Sequence, residues 1–139
     1  MVSLRLISAE DSARIISWLA DEEIRSLNPG VGHNLINFEF AIYAGDTHIG
    51  YCNVHNMDSY SAEIGITIGR KDYWNKGYGS DAVKQLIELC FEKLGIKLVR
   101  LKVLSTNIRA LRCYEKCGFT RCGTATIDGY SFILMELTR

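Results

Sequence analysis

The sequence predicts an α+β fold, with a mixed and mostly antiparallel sheet packed against about four helices. Three strand-like segments follow one another between residues 38 and 68 with short turns between them, as in an antiparallel meander. A helical repeat of apolar residues comes next, over residues 83–94. A strand-like segment at 98–104 follows this repeat, and a strand, helix, strand order of this length implies a parallel crossover.

Capping and turn residues mark where each element begins and ends. Ser8 and Asp11 have the spacing of a capping box at the start of a helix. Gly95 and Gly118 are each placed to end a helix. Gly-Asp at 45–46 and Asp-Gly at 128–129 are typical of hairpin turns. The expected strands are 4–7, 38–43, 47–54, 62–68, 98–104, 119–127 and 130–137, with helices starting near residues 8, 21, 80 and 107.

The composition is that of one ordinary globular domain. The 139 residues are 47% hydrophobic and 23% charged, so we expect a single domain over residues 1–139. No apolar stretch is long enough to span a bilayer, and the first residues lack the pattern of a secretory signal. A cytoplasmic location, with no membrane partner, is the resulting expectation.

The five cysteines do not form a recognisable metal or redox motif. None belongs to a C-x-x-C pair. Cys113 and Cys117 are four residues apart and could share a helix face, but no matching His or Cys pair lies nearby at zinc spacing. We therefore expect reduced, mostly buried thiols and no metal site.

The formal net charge is zero, but the charge is unevenly distributed along the chain. Residues 1–69 have a balance of −6, residues 70–121 a balance of +7 and residues 122–139 a balance of −1. A basic half suits a polyanionic cofactor and an acidic half suits a cationic substrate, although solvated charge with no common face is an alternative. Zero net charge, and aromatic residues that do not interleave with the basic run, argue against a nucleic-acid partner.

A glycine-bearing turn at residues 73–80 connects the strand at 62–68 to the following helix. The first N–H groups of a helix lack partners, and with the positive end of the helix dipole they form a site for phosphate. Gly77 and Gly79 lack Cβ atoms, so a ligand can approach the main chain closely there. The turn therefore predicts a site for the pyrophosphate of a nucleotide-type cofactor, although by itself the pattern also fits an ordinary tight turn.

Two segments together resemble the signature regions of the GNAT superfamily, the acetyl-CoA-dependent N-acyltransferases. The first is Trp-Asn-Lys-Gly-Tyr-Gly at 74–79, and the second is Asn-x-x-Ala-x-x-x-Tyr-Glu-Lys-x-Gly-Phe at 107–119. The resemblance covers the whole chain and is strongest over 62–119. The flanking Tyr73 and Asp81-Ala82 are most similar to the branch of ribosomal-protein N-terminal and amino-sugar acetyltransferases. Trp74 stands where the family usually has Arg or Gln.

The resemblance implies acetyl-CoA as the cofactor, with CoA as the product, and a central parallel strand pair that splays apart. Freed backbone groups of one strand would pair with the pantetheine amides, as in strand addition. Main-chain N–H groups of the loop would hold the pyrophosphate, Asn107 would bind the pantetheine arm, and Lys76 and Lys116 could meet phosphate charges. The implied cofactor-binding residues are Ile66, Thr67, Ile68, Trp74, Asn75, Lys76, Gly77, Tyr78, Gly79, Ser80, Asn107 and Lys116.

The implied reaction is direct transfer of acetyl to a primary amine of a small molecule or a protein N-terminus. Tyr114 matches the family's general acid, which would protonate the departing thiolate; the alternative is a tyrosine that only packs against the cofactor. A backbone N–H near Thr67 or Ile68 would meet the oxyanion. Glu63 matches a catalytic glutamate of several members, as a base or water relay; the alternative is a structural or substrate-orienting carboxylate. Strand alternation places Glu63 on the face opposite Ile64, Ile66 and Ile68.

The histidines are weaker candidates for the base, and the acceptor site is the least defined part of the sequence. His55, at the end of a strand, is the next candidate base. His33 has the setting of an ordinary solvated loop histidine, although it could contact the substrate, and His48 has that of a strand residue near a turn. Residues 20–38 and the final hairpin would form the acceptor pocket. The acidic residues at 21–23 suggest a cationic acceptor, although the solvated start of a helix explains them equally well. A homodimer is possible. The alternative function is a non-catalytic acyl-CoA-binding sensor or interaction module.

Overall fold

Seven strands form one mixed sheet in the order β1-β2-β3-β4-β5-β7-β6. The computed structural model describes residues 1–29 and 35–139. The strands are β1 (Val2–Leu6), β2 (Ile36–Ala44), β3 (Thr47–His55), β4 (Ser61–Ile68), β5 (Leu98–Leu104), β6 (Thr120–Ile127) and β7 (Tyr130–Thr138), and the α-helices are α1 (Ala9–Leu19), α2 (Glu22–Ser26), α3 (Tyr78–Glu88) and α4 (Ile108–Lys116). One 3-10 turn, Lys71–Tyr73, precedes α3, and one π-helical turn, Leu89–Lys93, follows it.

The predicted fold class is confirmed. β4 and β5 are the parallel pair, and α3 is the crossover between them. The other neighbouring strands pair antiparallel, including the two predicted hairpins β2–β3 and β6–β7. Gly45 and Gly129 in the hairpin turns have φ of 59° and 82°, which glycine adopts without strain.

The predicted bounds of six of the strands were wrong by one or two residues, and the first strand is an example. It begins at Val2 rather than residue 4, because β2 extends to Ala44 and supplies a partner for every residue of Val2–Leu6. The backbone N–H of Val2 also donates to Asp81 on α3 at 2.8 Å. These contacts fix the start of β1 beside the start of α3.

The apolar face of α3 packs on the sheet and fixes the position of the crossover. Ala82, Val83 and Leu86 on α3 and Cys90 in the π-helical turn are completely buried. They belong to one core cluster with the inward-facing residues of β3, β4 and β5. The N-terminus of α3 is thereby held at the end of β4.

A buried carboxylate attaches α1 to β2 and β3. The predicted capping box is present: Asp11 N–H donates to Ser8 Oγ, and Ser8 N–H donates to the Asp11 carboxylate. The same carboxylate accepts hydrogen bonds from Tyr43 and from Arg14, the latter at 3.1 Å. Burial raises the pKa of Asp11, but these hydrogen bonds outweigh burial and hold it well below its usual range.

We expect Asp11→Ala to lower the free energy of unfolding by about 2 kcal/mol, because it removes the buried carboxylate that Ser8 N–H, the Tyr43 hydroxyl and the Arg14 guanidinium share as an acceptor. Urea denaturation at neutral pH measures the change. The neighbouring exposed Glu10 supplies the control, since Glu10→Ala should change stability by about 0.5 kcal/mol or less.

The same comparison has a defined pH dependence. The pKa of Asp11 is lower in the folded chain than the value of about 3.9 expected when unfolded, so its contribution is complete above about pH 5. It is lost as the pH falls through the folded pKa. A difference between the parent chain and Asp11→Ala that grew on acidification would contradict the assignment.

Candidate active site

The candidate site is the wedge that opens where β4 and β5 separate. The two strands pair only over Ser61–Leu98, Ala62–Val99 and Glu63–Arg100. Beyond this point the described residues form no further β4–β5 pair, while β5 stays paired with β7 as far as Leu104. The splay implied by the resemblance is therefore present, and one side of β4 after Glu63 lacks a strand partner.

A cavity of about 440 Å³ lies between this wedge, the start of α3 and one face of α4. Its basic side chains are Lys76, Arg109, Arg112 and Lys116, and none of the described residues that line it is acidic. Such a surface attracts a polyanion. The implied cofactor-binding residues that line it are Ile66, Thr67, Ile68, Trp74, Asn75, Lys76, Gly77, Gly79, Ser80, Asn107 and Lys116; Tyr78 does not line it.

The loop before α3 presents unpaired main-chain donors to the cavity. Gly77 is the N-cap residue, with φ of 86° and no side-chain capping bond, and Asn75 has φ of 59°. The first backbone bond of the helix runs from Asp81 N–H to Gly77 O. Among the described residues, no hydrogen-bond partner is found for the N–H groups of residues 75–80. This arrangement is suited to holding a phosphate oxygen.

Trp74 occupies the outer end of the wedge without filling it. Its indole N–H donates to the carbonyl oxygen of Ile68 at 2.8 Å. The guanidinium carbon of Arg109 lies 3.6 Å from the centroid of a Trp74 ring, in cation–π geometry. The two residues are far apart in sequence, so no local pattern indicated that Arg109 would belong to the site.

Arg109 is a half-buried cation without an ion-pair partner among the described residues. No carboxylate of the described residues lies within ion-pair distance of it. Burial lowers its pKa, only partly offset by the distant charge of Glu23. A cation that is stacked, partly desolvated and unpaired is suited to an anionic ligand.

Tyr114 lies where two cavities meet. Its side chain is 6% exposed and packs edge-on against Phe119, with ring centroids 6.0 Å apart. It lines both the basic cavity and a second cavity of about 400 Å³. Burial raises the pKa of its phenol, so the hydroxyl keeps its proton at neutral pH and is available as a donor.

The second cavity lies on the other side of Tyr114 and has acidic walls. Glu39, Glu63 and Asp128 line it, together with Lys102 and His55. Its rim comes from residues 27–29 and from the β6–β7 turn, as the sequence predicted for an acceptor pocket. The predicted acidic residues at 21–23 do not line it: Asp21 caps α2, and both Asp21 and Glu23 pair with Lys71. Residues 21–23 therefore fit the alternative given for them, acidic residues at the start of a helix, and the carboxylates that face this cavity come from other elements.

Glu63 is held by two partners in this second cavity. His55 Nε2 lies 3.3 Å and Lys102 Nζ lies 3.4 Å from Glu63 Oε2. His55 Nδ1 lies 2.6 Å from Asn53 Oδ1. Burial raises the pKa of Glu63, but His55 and Lys102 outweigh burial and lower it to about 2. The carboxylate is therefore ionised at neutral pH and is a weak base in this state.

The other residues singled out from the sequence have structural partners or lie outside the site. Asn107 caps α4 by accepting from Ala110 N–H at 3.4 Å, and it lines both cavities. His48 is buried, accepts from Arg14 at its Nδ1 and lies within 2.9 Å of Gly50 O at its Nε2, so it serves the α1 attachment. His33 lies outside the described residues.

All five cysteines are free, but the expectation that most are buried was wrong. Cys52 and Cys90 are buried, whereas Cys113 and Cys117 are half-buried and Cys122 is exposed. Cys113 lines the basic cavity, with its sulfur 3.3 Å from Ser80 Oγ. A hydrogen bond from Cys117 lowers the pKa of Cys113, because it stabilises the thiolate.

Comparison with known proteins identifies the family. The model of the acetyltransferase (GNAT) domain matches residues 2–120. An aminoglycoside N(6')-acetyltransferase type 1 of Klebsiella pneumoniae is 25% identical over 167 aligned positions, covering 99% of this chain and 83% of that protein. A kanamycin resistance protein of Rhizobium radiobacter is 39% identical over 64 residues, covering 46% of this chain and 59% of that protein.

Solved structures support the same assignment. An aminoglycoside acetyltransferase in complex with coenzyme A superimposes with a TM-score of 0.86 at 25% identity, covering 100% of this chain and 95% of that one. A spermidine N-acetyltransferase of Vibrio cholerae, in complex with CoA and spermine, has the same fold, with a TM-score of 0.83 at 20% identity over 99% of this chain and 95% of that one.

The chain therefore belongs to the GNAT acetyltransferase family. The prediction of an acetyl-CoA-dependent N-acyltransferase is confirmed for the family, whereas the branch within it stays a prediction. Within the described part of the chain, no helix is both long enough and apolar enough to cross a membrane.

Proposed function

We propose that this chain transfers acetyl from acetyl-CoA to a primary amine of a small cationic molecule. The observation that carries the proposal is the position of Tyr114 between a basic cavity and an acidic one. The thioester meets the amine at this junction. Relatives that act on aminoglycosides, which are amine-bearing sugars, support a small molecule rather than a protein N-terminus.

The residues of the basic cavity fit coenzyme A. The N–H groups of residues 75–80 hold its pyrophosphate, and the unpaired edge of β4 at residues 66–68 holds its pantetheine arm. The indole N–H of Trp74 already donates a hydrogen bond to the carbonyl oxygen of Ile68. The backbone of Ile66 is therefore the main hydrogen-bond partner for pantetheine. Positively charged side chains pair with the phosphates. They are Arg109, which stacks on that indole, and Lys76 and Lys116, which also line the cavity.

Two side chains, Tyr114 and Glu63, take part in the proton transfers of the reaction. The bound thioester supplies the acetyl group. Tyr114 donates its proton to the departing sulfur, because its phenol is protonated at neutral pH and lies where the two cavities meet. Glu63 binds the acceptor's ammonium and passes its proton on through His55 or water, since a carboxylate with a pKa of about 2 does not hold that proton itself. A main-chain N–H near Thr67 or Ile68 faces the oxyanion.

The proposal also covers location and assembly. Use of acetyl-CoA and five free cysteines favour a reducing compartment such as the cytoplasm. A homodimer stays a prediction from the sequence.

The direct test combines binding and turnover. Acetyl-CoA is expected to raise the melting temperature, and a thiol-release assay over a panel of polyamines, amino sugars and peptides is expected to give turnover with polycationic small molecules. Stabilisation by CoA without turnover on any amine would favour the alternative of an acyl-CoA sensor. No stabilisation by acetyl-CoA would remove both functions.

Tyr114→Phe should lower kcat by about 10²-fold, since it removes the proton donor but keeps the ring that packs on Phe119. Affinity for acetyl-CoA should stay within about threefold of the parent, because the lost hydroxyl is not part of the phosphate site. The control is Tyr60→Phe, an exposed tyrosine that lines neither cavity. Equal kcat values for the two variants would assign Tyr114 to packing alone.

Arg109→Gln should weaken acetyl-CoA binding by about tenfold, or about 1.4 kcal/mol, because it removes the stacked cation. Isothermal titration measures the dissociation constant. Arg121→Gln is the matched control, since Arg121 is exposed on β6 and pairs with Glu115 away from the cavity. If the two variants bound acetyl-CoA equally well, Arg109 would have no part in holding phosphate.

A further inference from the structure

The second cavity already contains a primary amine. Lys102 extends from β5 just beyond the point where β4 and β5 separate. It is the lysine among the residues that line the acidic cavity; Lys76 and Lys116 line the basic one. Its side chain is 36% exposed, and its ammonium is the same functional group as the acceptor proposed above.

The carboxylate that pairs with Lys102 is the one assigned to the acceptor. Lys102 Nζ lies 3.4 Å from Glu63 Oε2, and the same oxygen lies 3.3 Å from His55 Nε2. An incoming ammonium must therefore displace Lys102 from Glu63 or share this carboxylate with it. When no acceptor is bound, the resident amine in the cavity beside Tyr114 is that of Lys102.

We propose, building on the function above, that Lys102 is an internal acceptor and that the chain acetylates this residue itself. The Lys102 ammonium first loses one proton through the Glu63–His55 pair, which gives Nζ its lone pair. Nζ then forms a bond to the acetyl carbon of acetyl-CoA, the carbon–sulfur bond breaks, and the thiolate takes the proton of Tyr114. The second proton of Nζ returns to the Tyr114 phenolate, and the products are acetyl-Lys102, CoA and one released proton.

The modification changes the charge of the acceptor cavity. An acetylated lysine carries no charge and cannot pair with a carboxylate as an ammonium does. Three acidic side chains would then line the cavity with no lysine ammonium beside them. Self-acetylation therefore removes the internal competitor for Glu63.

The four-carbon stem of lysine is flexible, so Nζ is not fixed at Glu63, and Lys102 and Tyr114 line the same cavity. The other lysines lack this setting. Lys97, for example, lies on the same stretch of chain just before β5, is exposed and lines neither cavity. The two residues form a matched pair for an experiment.

The test incubates the full chain with acetyl-CoA and no acceptor, and follows intact mass and peptide mass mapping with time. One acetyl group per chain is expected, located on Lys102. Lys102→Arg should lose this modification and Lys97→Arg should keep it. Tyr114→Phe should slow it by about 10²-fold, because the same proton donor is used. Mapping of the parent chain gives the site even if Lys102→Arg is unstable.

The outcomes separate this inference from the proposed function. Turnover of the amine panel with no acetyl on Lys102 would overturn self-acetylation and leave the enzymatic function intact. Acetyl groups spread over exposed lysines, at rates that Tyr114→Phe does not change, would also overturn it. An excess of a good acceptor should suppress modification of Lys102 if both amines use one cavity.

Discussion

The separation of β4 from β5 after three paired residues is the constraint on which the rest of the site depends. It leaves one edge of β4 unpaired inside the molecule, where backbone polar groups are costly without partners. The indole of Trp74 meets one of these groups, the carbonyl of Ile68. The rest of this edge lines the basic cavity, which is also lined by the loop whose N–H groups are unpaired at the start of α3.

Charge divides the space around this wedge into two parts. The α4 side provides arginine and lysine without nearby carboxylates, whereas the β3, β4 and β6–β7 side provides Glu39, Glu63 and Asp128. Tyr114 projects from α4 to the boundary between them. In the proposed function, this division directs a polyanion and a cationic amine to opposite sides of one phenol, and the acetyl group is transferred without a covalent enzyme intermediate.

Local patterns were enough to predict most of the fold and the glycine turn that precedes α3. The capping box of α1, the glycine turns and the bounds of β5 follow from neighbouring residues, and the structure has them where the sequence places them. Contacts between distant segments could not be predicted in this way. Arg109 on Trp74, Lys102 on Glu63 and the hydrogen bond from Tyr43 to Asp11 depend on strand register and helix docking.

The most direct measurement is a titration of the ¹⁵N-labelled chain with coenzyme A, followed by two-dimensional amide spectra. CoA cannot be turned over, so the shifts report binding alone. The account predicts the largest shifts at the amides of residues 76–80, with a second set on β4 around Ile66. Saturable shifts confined to other surfaces, or unchanged amides in this loop at saturating CoA, would contradict the assignment of the wedge as the cofactor site.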